Sequence, residues 1–472
     1  MNNIRKYLMC LVGLLASSSI FADDATPAEF ANYPTWYDYR DQSFSIEGKG
    51  SFSNPIVINT AEQLAQLAYL YNTTDPRENV NSGWEEKVVI LGSDINLEKT
   101  VNGKRVQWIP IGYGNVRFAG AVLGIDPRDE QFGTPQRHKV SGMYISLSAD
   151  DLASSGTSSS KTFGLFSATN GYIGYLDIVD ADISVDYSSK EGSCQVGILC
   201  GRDNAGQEAT QTIPVDNASS KTFKVAYESI STSGKIKVIG NRGENNHFSV
   251  GGIAGHVQHH GIIHSSASVI INATDCKYVG GICANAGEGG GREYFVPTTI
   301  LDCTASVTIN SNYTKGDYSY VGGICSWLEK ARDSGDIPTN SIVSSSSMGS
   351  ITTAGSTYVG GICGYVQDNC HLRGCASTAT LIGGEHLGGI VGYKQDNSYD
   401  IENLIAIDCC AFSGHIDGSQ SQYAGGICGY NAEGTDLQIN SCLFAGTMMT
   451  EGAAHVAATV AFTPKPEENV GG

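Results

Sequence analysis

The stretch "YVGGICGYV", Tyr358 to Val366, decides how the rest of the chain is read, because it recurs with small edits. Aligned on the first glycine of the doublet, the copies are "SVGGIAGHV" at Gly251, "YVGGICANA" at Gly280, "YVGGICSWL" at Gly322, "YVGGICGYV" at Gly360, "HLGGIVGYK" at Gly388 and "YAGGICGYN" at Gly425. Successive intervals are 29, 42, 38, 28 and 37 residues, so a constant unit alternates with linkers of varying length. Looser copies stand upstream, "TFGLFSATN" from Thr162 and "QVGILCGRD" from Gln195, and a degenerate one, "HVAATVAFT", begins at His455.

Each unit carries a second element of seven residues: "SSASVII" from Ser265, "CTASVTI" from Cys303, "SSSMGSI" from Ser345, "CASTATL" from Cys375, "CAFSGHI" from Cys410 and "CLFAGTM" from Cys442. Odd positions are small or apolar and even positions mostly polar, the period of a strand with one buried face. Where the third position becomes Phe412 or Phe444, the fifth shrinks to Gly414 or Gly446, as close packing requires of a filled interior. Units this short, with two or three strands each, bury a core only by stacking. The expected fold is all-β: a right-handed parallel β-helix, one repeat per coil. Evenly spaced blades of about 40 residues would be needed for a propeller, and the 28- and 29-residue intervals are too short. The glycine doublet reads as a corner needing positive φ or close approach to the next coil. A phosphate-cradling role lacks the helix and Lys-Ser/Thr that should follow.

The chain before Ser160 is different. "NTAEQLAQLAYLYN" offers Thr60 as N-cap with Gln63 three residues on, and Leu64, Leu67, Ala68 and Tyr71 on one face. This predicts a short helix capping the open end of the β-helix, with "VVILGSDINL" (88–97) and "WIPIG" (108–112) as the first strands.

Composition agrees with a turn-rich β protein: 58 Gly among 472 residues and only 16% charged. "MNNIRKYLMCLVGLLASSSIFA", residues 1–22, has a basic start, an apolar run and a small residue before "DDA", the form of a cleaved export signal; too few apolar residues precede Cys10 for a lipidation site. Losing Arg5 and Lys6 would take the net charge from −19 to −21, a sign that repels phosphate backbones and argues against nucleic acid. No later stretch is apolar enough to span a membrane. The partition expected is 1–22 signal, 23–54 extension, 55–160 cap and first coils, 161–462 repeats and 463–472 tail.

These features in their order, "INTAEQLAQLAYLYN", "SDINL", "WIPIG", "FGLF" and then reiterated "VGGICG", resemble the GLUG-motif proteins from about Pro55 to about Phe462. The resemblance implies exported bacterial proteins of Bacteroides type with a repetitive β-helical region and an adhesin-like surface role. It implies no catalytic residues. Cys283, Cys325, Cys363 and Cys428 stand where Val or Ala is usual in that pattern.

Parallel β-helices also carry polysaccharide lyases and glycoside hydrolases, which need grouped carboxylates. The candidate acids Asp333, Asp336 and Asp408 fall in different loops without a signature. His256, His259, His260 and His264 lie close in sequence but match no zinc spacing, so neither metal nor cofactor is called for.

The aromatic columns are the better candidates. Two residues before each doublet stand Ser249, Tyr278, Tyr320, Tyr358, His386 and Tyr423; five after its first glycine stand His256, Asn285, Trp327, Tyr365, Tyr393 and Tyr430. With Val359 inward, Tyr358 should face solvent, whereas the second column is ambiguous. Sugars stack on exposed rings, so Tyr278, Tyr320, Tyr358, Tyr423, Trp327, Tyr365, Tyr393 and Tyr430 are the ligand-binding candidates, against a purely structural ladder. The expected function is non-catalytic binding of a glycan or surface protein, with a carbohydrate-active enzyme as the alternative. The cysteines are expected as reduced thiols packed as small hydrophobes, with Cys370 and Cys375 a candidate pair across a turn.

Overall fold

The computed structural model describes residues 26–73, 87–114, 117–128, 136–154, 161–189, 192–203, 211–214, 220–223, 227–241, 247–258, 261–287, 297–329, 340–367, 370–395, 407–432, 439–449 and 451–462. Residues 1–22, where an export signal is expected, lie outside them. No helix among the described residues is long and apolar enough to cross a membrane.

The chain winds into a parallel β-helix with four strands per coil, one or two more than the repeat suggests. In one coil these are Ser341–Val343, Ser346–Ala354, Tyr358–Gly360 and Cys363–Val366, and each pairs in parallel with its equivalent in the next coil. Four sheets result, here numbered first to fourth in the order the chain visits them. The third sheet has nine strands, one for each copy of the repeat including the loose and degenerate ones. Most of the length variation is absorbed between the fourth strand and the next first strand, with a smaller share between the second and third strands as at residues 313–319, so Tyr278, Tyr320, Tyr358, His386, Tyr423 and His455 stay in register despite unequal intervals.

The long strands of the second sheet behave as their period of two requires. Thr304–Asn312 alternates strictly between exposed and buried, and the seventh-position column Ile271, Ile309, Ile351, Leu381, Ile416, Met448 pairs coil to coil. Phe412 and Phe444 stack at 6.0 Å, and a Cβ on Gly446 would lie 2.9 Å from the Phe412 ring, which is the volume exchange visible in the sequence.

Two of the coil's corners recur with a fixed backbone solution. Between first and second sheets stands one residue per coil in the left-handed region: Tyr175, Ser229, His264, Asp302, Ser344, Gly374, Cys409 and Ser441, at φ of about 50–63°. Mostly not glycine, they keep the ladder intact, as Ser344 N–H donates to Arg373 O at 2.8 Å and Gly374 N–H to Asp408 O at 2.9 Å. The doublet forms the other corner, and of its two proposed reasons only close approach holds. None of its glycines has positive φ, but a Cβ on Gly360 would collide with the Cys363 carbonyl and one on Gly361 with the Gly389 carbonyl.

Helix α1, Ala61–Thr73, closes the N-terminal end. Gln63 N–H donates to Thr60 Oγ1 at 3.2 Å, while the Gln63 side chain accepts from Asn59 N–H at 2.8 Å, one residue before the expected partner. Leu64, Leu67, Ala68 and Tyr71 are buried and join the main core alongside Ile56 and Ile58 of the first strand. "WIPIG" is not a regular strand: Pro110 has no N–H to offer a ladder, and only Ile111 makes an isolated bridge, to Phe166.

All thirteen described cysteines are free thiols, all buried except exposed Cys409 and half-buried Cys442. Cys283 and Cys325 have sulfurs 3.8 Å apart in one column. Burial pushes the Cys303 and Cys428 thiols up to about 12, which makes them poor nucleophiles. Cys370 and Cys375 do not pair: their thiols donate to different carbonyls, of Glu329 and of Ile342.

Candidate functional site

The two aromatic columns meet outside the main core. The third and fourth strands fold back on each other at the doublet, with glycine letting the backbones touch, so rings on both strands are brought together. Tyr278, Tyr320 and Tyr358 form a separate hydrophobic cluster with Trp327, Tyr365 and Tyr393 packed on it. Tyr320 lies 5.0 Å from Trp327 and 5.2 Å from Tyr365; Tyr358 lies 4.6 Å from Tyr393. The stack continues through His386, 4.8 Å from Tyr423, and Tyr423, 5.0 Å from His455.

This corrects the expected exposure of the first column. Tyr278, Tyr320 and Tyr358 point away from the main core as period two demands, yet are only 4–6% exposed. Rings of the second column roof them over. That second column is the one reaching solvent: Trp327, Tyr365, Tyr393 and Tyr430 are each half-buried. Three of its rings lie nearly parallel, Tyr365 on Tyr393 at 5.3 Å and Tyr393 on Tyr430 at 5.1 Å, each pair within 6°, while Trp327 meets Tyr365 edge-on at 5.5 Å and 71°. Faces are therefore spent on one another, and edges and hydroxyls are what the column offers outward; the Tyr365 hydroxyl donates to Gln395 Oε1 at 2.8 Å.

Electrostatics follow burial. Desolvation raises the hydroxyl pKa of Tyr278, Tyr320 and Tyr358, so they stay neutral donors. His386 replaces tyrosine in the column, and burial among rings pushes its imidazole down to about 4. Among the described residues its Nδ1 has no hydrogen-bond partner, and Trp327 Nε1 is likewise buried without one.

One aromatic residue outside both columns was missed by the repeat alignment. Tyr318 is 59% exposed, with its ring on Tyr358 at 5.5 Å and 27°. Its corner is fastened to the preceding coil: Lys277 Nζ lies 3.2 Å from Asp317, the Tyr313 hydroxyl donates to Asp317, and Thr314 donates through N–H and hydroxyl to Asp275, both at 2.8 Å. The signal was its place in "GDYSY", two residues before a column tyrosine. The long strand leading into this corner ends at Asn312, where a shallow groove of about 260 Å³ is lined by Asn272, Asn310, Asn312, Thr352 and neighbours.

The other candidates do not assemble. Among the described residues no three of His, Cys, Asp and Glu gather as a metal site. His256 lies on the fourth sheet facing Gln195 and the Gly287 carbonyl, His264 occupies a left-handed corner 3.0 Å from Asp302, and His259 and His260 lie outside the described residues. Asp408 is 3.4 Å from Arg373 and accepts from the Cys409 thiol; Asp333 and Asp336 lie outside the described residues.

Fold and site together define a parallel β-helical repeat protein. Residues 355–382 match the GLUG motif, and that span is one turn of the coil that the structure repeats. No curated protein matches the chain. Among solved structures the chain is similar to a Bacteroides ovatus protein provisionally described as an immunoglobulin A1 protease, at 16% identity over 85% of each chain, with a TM-score of 0.40.

Proposed function

We propose that the chain is an exported, non-catalytic binding protein that holds a glycan on Tyr318 and the outer edges of Trp327, Tyr365, Tyr393 and Tyr430, with the amide-lined groove at the end of the long strand that leads to Tyr318. The carrying observation is Tyr318: a large ring, 59% exposed, on a corner held by an ion pair and hydrogen bonds to the coil before it. A preorganised flat ring offers a sugar a stacking surface with little ordering entropy left to lose. The amides of Asn272, Asn310 and Asn312 supply the paired donors and acceptors that sugar hydroxyls need. Tyr278, Tyr320, Tyr358 and Tyr423 serve beneath as the support.

A panel of glycans and mucins, assayed on the same plates for binding and for shortened products, tests this reading. Tyr318→Ala should weaken binding about tenfold to a hundredfold, roughly 1–3 kcal/mol, with an unchanged melting temperature, and Tyr318→Phe should retain most of it. Binding untouched by Tyr318→Ala would remove this face from consideration, and release of shortened chains would turn the reading to a carbohydrate-active enzyme.

A further inference from the structure

The groove on the second sheet is lined with a regularity that repeats from coil to coil. Its outward side chains form two rows across three coils: Asn272, Asn310 and Thr352 in one, Thr274, Asn312 and Ala354 in the other, each paired in register with its neighbour. Rows lie about 6.6 Å apart along the strand, and coils about 4.8 Å apart across it. All six but Thr274 are exposed. Asn310 Nδ2 donates to Asn272 Oδ1 at 3.0 Å, so two amides are already aligned as a ladder whose open acceptor, among the described residues, is Asn310 Oδ1. The strand of the next coil stops at Ile382, opposite Thr352, and the chain runs on through Gly383 and Gly384, which bring no side chain up beside Ala354.

We infer that this groove is a subsite for an acetamido sugar, which rests on the glycan reading above and narrows it. An acetamido group carries one N–H, one carbonyl oxygen and one methyl, and one quadrant of the groove has a partner for each. The N–H extends the amide ladder by donating to Asn310 Oδ1, the carbonyl oxygen accepts from Asn312 Nδ2, and the methyl rests over Ala354 in the room beside Gly383 and Gly384. A sugar with a plain hydroxyl in that place reaches one of the two amides and loses the methyl contact. Charge points the same way. None of the six side chains is ionised, in a chain of 48 acidic against 29 basic residues, so the groove recognises dipoles rather than a sugar carboxylate or sulfate. Lys237 stands in the same row, one coil before Asn272, and is the cation whose part the test must separate.

Calorimetric titration of the intact mature chain with chitotetraose and with cellotetraose, which differ only in carrying an acetamido group or a hydroxyl, tests this at high salt, where Lys237 is screened. Chitotetraose should bind at least about tenfold more tightly, the effect of a methyl contact and an added hydrogen bond. Ala354→Val fills the place of the methyl and Asn310→Leu removes the acceptor. Each should bring the affinity for chitotetraose down to that for cellotetraose with the melting temperature unchanged, and the two positions lie on different strands, so one variant stands if the other does not fold. Tyr318→Ala separates this inference from the reading beneath it, since loss of the stacking ring should weaken both oligomers alike. Equal affinities in the wild type, both reduced by Tyr318→Ala, would overturn the acetamido subsite and leave the glycan face standing. A preference for chitotetraose that survives Ala354→Val and Asn310→Leu would overturn the subsite as well, and binding of neither oligomer would do the same.

Discussion

Phe412 and Phe444 occupy the same position of the same repeat, one coil apart and stacked, yet Phe412 is fully buried and Phe444 only partly so. What separates the two is the number of neighbouring coils. A residue in a stacked coil is covered from both sides, and its interior value comes from that sandwich, not from its place in the motif. The N-terminal end shows the remedy, since α1 supplies from outside the repeat the cover that another coil would give.

The most severe way to probe the middle of the stack is to remove two rings at once. Tyr320→Ala with Tyr358→Ala takes out two side chains 5.3 Å apart beneath the second column, so the expected result is a loss of roughly 5 kcal/mol and a marked fall in melting temperature. Stability unchanged in this variant would mean that the rings are not the structural ladder described.

Phe412→Ala against Phe444→Ala tests the difference between coils directly. The first should cost about 3–5 kcal/mol in chemical denaturation, the second roughly 1, because the cavity at Phe412 is closed on both sides whereas Phe444 already faces water. Equal costs would show that the last coil is covered in solution.

The smallest effect is set by pH. His386 has its imidazole held down to about 4 by burial, against about 6.5 in the unfolded chain. Between those values the unfolded chain binds a proton that the folded chain refuses. The neutral-pH stability is therefore present above about pH 6.5 and declines as pH falls toward 4, by up to roughly 3 kcal/mol. His247 and His371 are lowered by burial too, so the measurement is a difference: His386→Tyr, which restores the residue of neighbouring coils, should flatten part of the acid slope. An identical slope in the variant would place the acid sensitivity elsewhere.

Much of the architecture was legible before any coordinates. Period two in "CTASVTI" named the buried column through Ile309, the Phe-for-Gly exchange named Phe412 as interior, and Thr60, Gln63 and Leu64 marked the capping helix. Such features are local, or repeat at fixed offsets, and a strand's alternation or a helix's cap is a property of a few adjacent residues. The left-handed corners at Asp302, Ser344 and Cys409 were not legible, because residues as unlike as Asp, Ser and Cys accept that conformation when the ladder beside them holds.

The aromatic face divides along the same line. The motif's spacing put Tyr358 and Tyr365 into two columns and gave the side of the strand from which Tyr358 emerges. Whether that side was wet depended on something no single strand contains: the glycine-permitted closeness of the third and fourth strands, which lays Tyr365 and Tyr393 over Tyr358 and leaves Tyr318 in solvent. Alternation sets direction, one residue at a time; exposure is a sum over neighbours from three coils, and that sum exists only once the coils are stacked.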